Sequence, residues 1–240
     1  MRTSQGLDFI TRCAQESDLQ RAIEDFLETI KLFGFAYSAG GGWTGHGVRR
    51  VHRFYFNNRP PDWRQPYEIK RLFDIDPFPL ESATRRTNFM LSEEIDRFRG
   101  FSQESSDLVD SALAYGWREV MGFPIHGPGD YQGLVTMSSM EPVSLSPADR
   151  AVLHAMSFAI HERCHKTIGY GTRTKPVASF TARELECMRW VAAGKSDAEI
   201  AAIVGISSST AHFHVEKVKK KLETKSRTEA VALLLLDGLI

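Results

Sequence analysis

The stretch SSSTAHFHVEKVKKKL, from Ser207 to Leu222, carries two histidines, a phenylalanine and four lysines. Such a set could bind a metal, face solvent or hold phosphate. His212 and His214 are two positions apart, and at about 100° per residue a helix points them about 200° away from each other. One helix cannot offer both to one ion, so Lys217, Lys219, Lys220 and Lys221 are left with either solvent or a polyanion to face. A second set lies upstream, in NNRPPDWRQPY and the Asp76-Pro77 pair that follows. Trp63 offers an indole N–H, Tyr67 a phenol and Asp76 a carboxylate. A small, mostly apolar ligand in a dry cavity needs a few donors and acceptors of this kind. The same residues also read without a ligand: Asp76 as an N-cap before an N1 proline, and Trp63 with Tyr67, at i and i+4, as a core stripe.

With Ala211 at 0°, Val215 falls at about 40°, Val218 at about 340° and Leu222 at about 20°, a single tight apolar stripe. Phe213 and Lys220 lie on the opposite side, flanked by His212, Glu216, Lys217 and Lys219. A solvated helix has no use for a phenylalanine at the centre of its outer face. A helix in the major groove can set the ring against a thymine methyl. The amides that open this helix, with the hydroxyls of Ser207, Ser208, Ser209 and Thr210, suit phosphate oxygens.

Short helices must position this stretch, and the sequence punctuates them. Three capping boxes pair Thr181 with Glu184, Ser196 with Glu199 and Ser226 with Glu229, each predicting a helix start. The first helix carries Leu185, Met188 and Val191 and ends at Gly194; the second carries Ile200, Ala201 and Val204 and ends at Gly205. The third is the opening stretch with Ser207 as N-cap. The fourth runs from about Thr228 to Asp237.

Upstream the signals alternate between helix and strand. A helix is predicted over Asp18 to Leu32, then a strand at FAYSA, a Gly-rich turn GGWTGHG and a strand over Val51 to Phe56. Helical segments follow near Asp62 to Leu72 and after Asp76-Pro77. Strands are expected at Phe89 to Leu91, Trp117 to Ile125 and Leu134 to Ser139, the last two joined by the turn HGPGD. A long helix from Ser146-Pro147 to about Lys166 closes this part. The fold class is therefore α+β: an N-terminal α/β/α sandwich with a mainly antiparallel sheet, then an all-α four-helix unit. Thr167 to Ser179, TIGYGTRTKPVAS, is poor in apolar residues and rich in Gly, Thr and Pro. The expected division is a domain over 1–166, a linker over 167–178 and a domain over 179–240.

At 240 residues and 42% hydrophobic composition the chain can bury real cores. Its apolar runs fall short of the roughly 18 residues of a membrane span, and no signal-peptide pattern opens it, so a cytoplasmic location is expected. Cys13, Cys164 and Cys187 form no CxxC and read as reduced structural thiols. Net charge is zero, but residues 171–240 hold 11 Lys and Arg against 8 Asp and Glu, a surplus of +3. The remaining 19 basic against 22 acidic residues give −3. No G-x-S-x-G elbow, metal-ligand cluster or paired nucleophile and base is visible, which argues against an enzyme such as a lactone hydrolase and against a metal or cofactor.

The segment FTARELECMRWVAAGKSDAEIAAIVGISSSTAHFHVEKVKKKLETKSRTEAV resembles the helix-turn-helix domain of the LuxR family of bacterial transcription factors. The shared features are Glu184, AAGKSDAEIA, the turn GIS, Thr210, the KKL of Lys220 to Leu222 and the final R-T-x-A; Ala211 replaces the usual Val. The resemblance implies double-stranded DNA as partner. It puts His212, Phe213 and Glu216 at base-facing positions and Thr210, Lys217 and Lys220 at phosphate-facing ones.

The pattern NNRPPDWRQPY…DP resembles the autoinducer-binding domain of quorum-sensing LuxR-type receptors, which bind N-acyl-homoserine lactones. No acidic pair or strand-end Asp and Lys marks a phosphorylation receiver instead. The resemblance implies that Trp63 donates to the lactone carbonyl and Asp76 accepts from the ligand amide. It makes Tyr67 a pocket aromatic, puts Thr136 near the acyl carbonyl and sets Gly116 before a strand. Two positions depart from the family. Arg59 stands where a tyrosine usually contacts the acyl carbonyl, leaving that contact to Thr136, Ser138 or Tyr55. Leu91 stands where a second tryptophan is usual, opening space that Trp117 partly refills, so a branched or aromatic acyl group is expected. The family also implies a homodimer, paired through the helix over 146–166 and the last helix, on a palindromic promoter site. RNA polymerase is a further partner it implies. An orphan regulator with another ligand, or none, is the alternative.

Overall fold

The computed structural model describes residues 1–44, 51–127, 131–168, 180–236 and 239–240. Its chain divides into two compact units, the second beginning after Tyr170.

In the first unit, α1 (Arg2–Gln15) and α2 (Leu19–Lys31) precede β1 (Tyr37–Thr44) and β2 (Val51–Asn57). Next come α3 (Pro61–Ile69), a single 3-10 turn at Leu72–Asp74, α4 (Pro77–Ser82) and the short β3 (Phe89–Met90). Then follow α5 (Leu91–Arg99), α6 (Gln103–Tyr115), β4 (Glu119–His126), β5 (Gln132–Ser139) and α7 (Pro147–Ile168). The strands form one antiparallel sheet in the order β2-β1-β5-β4-β3.

The period-2 alternation of a strand sends successive side chains to opposite faces. On β5, Val135 and Met137 join Phe9, Phe26, Phe123 and Met156 in a core shared with α1, α2 and α7. On the other face Leu134 packs with Trp43, Tyr67, Phe78, Leu91, Phe98, Val109 and Trp117. Thus the sheet is covered on both sides, with α3 to α6 forming the second layer.

The first two glycines of GGWTGHG differ from expectation, since Gly41 and Gly42, with Gly40 before them, continue β1 instead of turning. A Cβ on Gly40 would meet the Phe56 ring at 2.5 Å, and one on Gly42 would meet the Tyr131 hydroxyl. Glycine here marks rings lying flat on the strand rather than a turn. Gly45 to Gly47, and Pro128 to Asp130 of HGPGD, lie outside the described residues. A bulge follows from the pairing of Gly40 with Phe56 and Gly41 with Phe54, which leaves Tyr55 as the extra residue.

Three helices go unpredicted. In α1 the buried positions are Gly6, Phe9 and Cys13, only one of which reads as an apolar anchor. α5 buries only Leu91 and Phe98, and α6 only Ser105, Leu108 and Val109, stripes too thin to see. Leu91, expected to end a strand, opens α5. The long helix continues through Thr167 and Ile168, two residues into the expected linker; the rest of that linker lies outside the described residues.

The second unit packs α8 (Ala182–Ala192), α9 (Asp197–Val204), α10 (Ser208–Leu222) and α11 (Arg227–Leu236) around Met188, Ile200, Ala211, Val215, Val218, Ala230 and Leu234. Both halves of the first two capping boxes form. The third is half-made: Ser226 Oγ accepts from the Glu229 amide at 3.0 Å, but the Glu229 carboxylate accepts from Lys225 N at 3.1 Å. Asp237, the expected end of the last helix, lies outside the described residues.

Candidate functional site

Between the sheet and α3 to α6 lies a cavity of about 80 Å³. Seven of the eight residues predicted to contact a ligand line it: Trp63, Tyr67, Asp76, Leu91, Trp117, Thr136 and Ser138. Trp63 and Tyr67 come from one face of α3, and Thr136 and Ser138 from the cavity side of β5, two residues apart as alternation requires. Trp117 packs edge-on against Trp63 at 6.1 Å and against Tyr37 at 5.3 Å.

Tyr55 is the exception. It belongs to the opposite core, where its hydroxyl lies 3.0 Å from that of Tyr131 and 2.9 Å from His165 Nδ1 of α7. Its neighbours His52 and Phe54 line the cavity, so alternation along β2 turns Tyr55 away from it.

Asp76 makes the N-cap that the reading without a ligand expects of it. One carboxylate oxygen caps α4 by accepting from Phe78 N at 2.8 Å, and the other accepts from the Tyr67 hydroxyl at 2.7 Å. Burial pushes the Asp76 carboxyl up from its ordinary value, opposed by the Phe78 amide, the Tyr67 hydroxyl and the Arg59 charge. The Tyr67 phenol is pushed well above its ordinary range, first by burial and then by the charge of Asp76. The Trp63 indole N–H has no hydrogen-bond partner among the described residues.

Arg59, expected to leave a gap in polar contacts, instead supplies one. Its Nη2 donates to Thr136 Oγ1 at 2.8 Å and Ser138 Oγ at 3.1 Å, and its Nε to Ser138 Oγ at 3.3 Å. Burial pulls the guanidinium down from its ordinary value, while Tyr67 and Asp76 act the other way. Arg59 goes unassigned in the sequence because an arginine in a polar loop reads as solvated. Phe73, which stacks on His52 at 4.5 Å in the cavity wall, carries no sequence signal, being held by a single 3-10 turn.

In the second unit, all of Ser207, Ser208, Ser209, Thr210, His212, Phe213, Glu216, Lys217 and Lys220 are exposed along α10. Phe213 is 58% exposed while Ala211 and Val218 are fully buried behind it. The Ser207 hydroxyl accepts from Thr210 N at 3.1 Å and lies 2.7 Å from Thr210 Oγ1. Several predicted contacts are already paired: His212 Nδ1 with Asp197 at 2.8 Å, and Glu216 with Lys219 at 2.6 Å. Lys217 lies 5.7 Å over the Phe213 ring and 3.7 Å from Glu184. Glu184 is buried and also pairs with Lys221 at 2.5 Å. Burial alone would raise its carboxyl, but Lys221, the Thr181 amide and Lys217 outweigh that and hold it below its ordinary value. Lys220 is exposed, with no ion-pair partner among the described residues.

Among the described residues no cluster of His, Cys, Asp and Glu could hold a metal, and no helix is long and apolar enough to cross a membrane.

Residues 16–164 match the profile of the autoinducer binding domain, and residues 178–234 that of bacterial regulatory proteins, luxR family. The transcriptional activator protein AhyR of Aeromonas hydrophila is 27% identical over all of this chain and 94% of its own length. The HTH-type quorum sensing-dependent transcriptional regulator RpaR of Rhodopseudomonas palustris is 32% identical, over 91% of this chain and 88% of its own. The crystal structure of Escherichia coli SdiA shares the fold, with a TM-score of 0.68 over 99% of this chain and 98% of that one at 22% identity. These relatives are transcription regulators rather than enzymes. With both halves matched in order, the chain belongs to the LuxR family of quorum-sensing transcription regulators, an autoinducer-binding domain preceding a DNA-binding helix-turn-helix.

Proposed function

We propose that the autoinducer is an N-acyl-homoserine lactone held in the cavity, and that its binding controls how a dimer of this chain engages DNA. The observation that carries the reading is the presence, in one largely apolar cavity, of an unengaged Trp63 indole N–H and the half-buried Asp76 carboxylate. A lactone carbonyl suits the first and an amide N–H the second. Leu91 leaves room beside the acyl group, which favours a branched or aromatic chain. The domain over 1–166 senses and pairs, and that over 179–240 reads a palindromic site. His212, Phe213 and Glu216 meet bases, giving up their present partners where needed; Ser207 to Thr210, Lys217 and Lys220 meet phosphates. Recruitment of RNA polymerase in the cytoplasm completes the proposal.

Thermal unfolding of the purified chain across straight, branched and aryl homoserine lactones tests it. A cognate lactone at a hundredfold excess over its Kd adds about 2.7 kcal/mol to the stability of the first unit. A panel in which no lactone moves the transition would overturn the lactone reading. Preference for straight chains would overturn only the acyl assignment.

A further inference from the structure

We infer that Asp197 is a positioning residue for DNA reading: it fixes the His212 imidazole in the tautomer with its proton on Nδ1, so that Nε2 accepts a hydrogen bond and selects adenine or cytosine. The inference rests on the base-facing reading of His212 above.

Asp197 is the first residue of α9, directly after its N-cap Ser196. Its carboxylate stands where three helices meet. Oδ2 lies 2.8 Å from His212 Nδ1 on α10, and Oδ1 lies 2.9 Å from Arg227 Nη2 at the start of α11. Arg227 Nη2 also donates to the Lys195 carbonyl at 3.4 Å. The Asp197 side chain is 20% exposed, that of His212 61%. Arg227 therefore holds the carboxylate from behind, and the carboxylate holds the exposed ring. Glu216, one turn further along α10, is engaged by Lys219.

An ionised carboxylate accepts hydrogen bonds and cannot donate. Facing Nδ1, it keeps the proton of the neutral ring on that nitrogen. The two ring nitrogens point away from each other, so Nε2 is aimed away from Asp197. It has no hydrogen-bond partner among the described residues. In this tautomer Nε2 is an acceptor. Along the major groove only adenine, through its N6 amine, and cytosine, through its N4 amine, offer a donor; guanine and thymine offer acceptors alone. A histidine with a free choice of tautomer serves either class. Asp197 removes that choice.

Two measurements on the full chain, at about pH 8.5 and so above the ordinary imidazole range, test the inference. Nitrogen NMR of the histidine side chains should show His212 with a protonated Nδ1 and a bare Nε2. In Asp197→Asn the two should exchange: Arg227 keeps the amide oxygen, the amide NH2 faces Nδ1, and the proton moves to Nε2. Selection from a pool of randomised DNA duplexes then finds the position whose base preference His212→Ala erases. The wild type is expected to favour adenine or cytosine there by about tenfold, the scale of one hydrogen bond. In Asp197→Asn the preference moves to guanine or thymine, and cytosine, which has no acceptor in the groove, becomes the poorest base. A merely structural brace would instead weaken binding to every sequence alike. A wild-type ring protonated at Nε2, or a wild-type preference for guanine or thymine, sinks the inference without recourse to any variant. A preference erased by His212→Ala but untouched by Asp197→Asn removes the role of Asp197 alone. If His212→Ala leaves every base preference intact, the base-facing reading of His212 falls and takes this inference with it.

Discussion

The Tyr67 hydroxyl donates to the Asp76 carboxylate across 2.7 Å inside the cavity wall, tying α3 to the first residue before α4. Buried carboxylates depend on such donors. Tyr67→Phe removes this one while keeping the ring, and a loss of about 1–3 kcal/mol in the first unit is expected from chemical denaturation. Unchanged stability would mean that the Phe78 amide alone satisfies Asp76 in the ligand-free protein.

Sensing and reading separate by residue. Asp76→Asn is expected to reduce the ligand-induced stabilisation and leave ligand-free DNA affinity unchanged. Phe213→Ala should do the reverse, since its ring stands exposed on α10 in the other unit. Measuring both properties on both variants decides the matter, and identical profiles would refute the division of labour.

Phosphate and base contacts differ in salt response. Lys220 is exposed and unpaired among the described residues, so Lys220→Ala should lower the slope of log affinity against log salt by about one. Phe213→Ala weakens binding without changing that slope. A slope that moves with Phe213 and not with Lys220 would reverse the assignment of these two side chains.

His161 of α7 is fully buried, and its imidazole is held down to about 4, chiefly by burial and then by the nearby charge of His165. Its Nε2 lies 2.9 Å from the Tyr131 hydroxyl. A folded value below the unfolded value of about 6.5 means that the unfolded chain takes up this proton first. Stability from this group is complete above about 6.5 and is lost as pH falls towards 4, by up to about 3 kcal/mol. Urea titrations at several pH values should show that slope, and His161→Gln should flatten it; an unaltered slope would shift the cause to other groups.

What the sequence made legible follows from how locally each feature is encoded. The stripe Ala211, Val215, Val218 and the caps at Thr181 and Ser196 are set by spacing within one helix, and each appears in the structure as expected. Asp76 announced its cap through Pro77, yet the residue that binds its second oxygen, Tyr67, is nine positions away on another helix. Tyr55 misled because a strand residue's face depends on its neighbours' parity and on a bulge that no local pattern marks. Arg59 is the sharper case. Its role is decided by Thr136 and Ser138, nearly eighty positions downstream, and only the pairing of β1 with both β2 and β5 brings them together.

The glycines of β1 set a limit on how this cavity can evolve. Gly40 and Gly42 are pinned from behind by Phe56 and Tyr131, and Gly41, in the cavity wall, by the backbone of Arg53. Any side chain added there collides, so that wall is closed to variation. New ligand preferences must therefore arise across the cavity, from α3 to α6 and from the short loop that carries Arg59, where a residue can change size or charge without breaking the sheet.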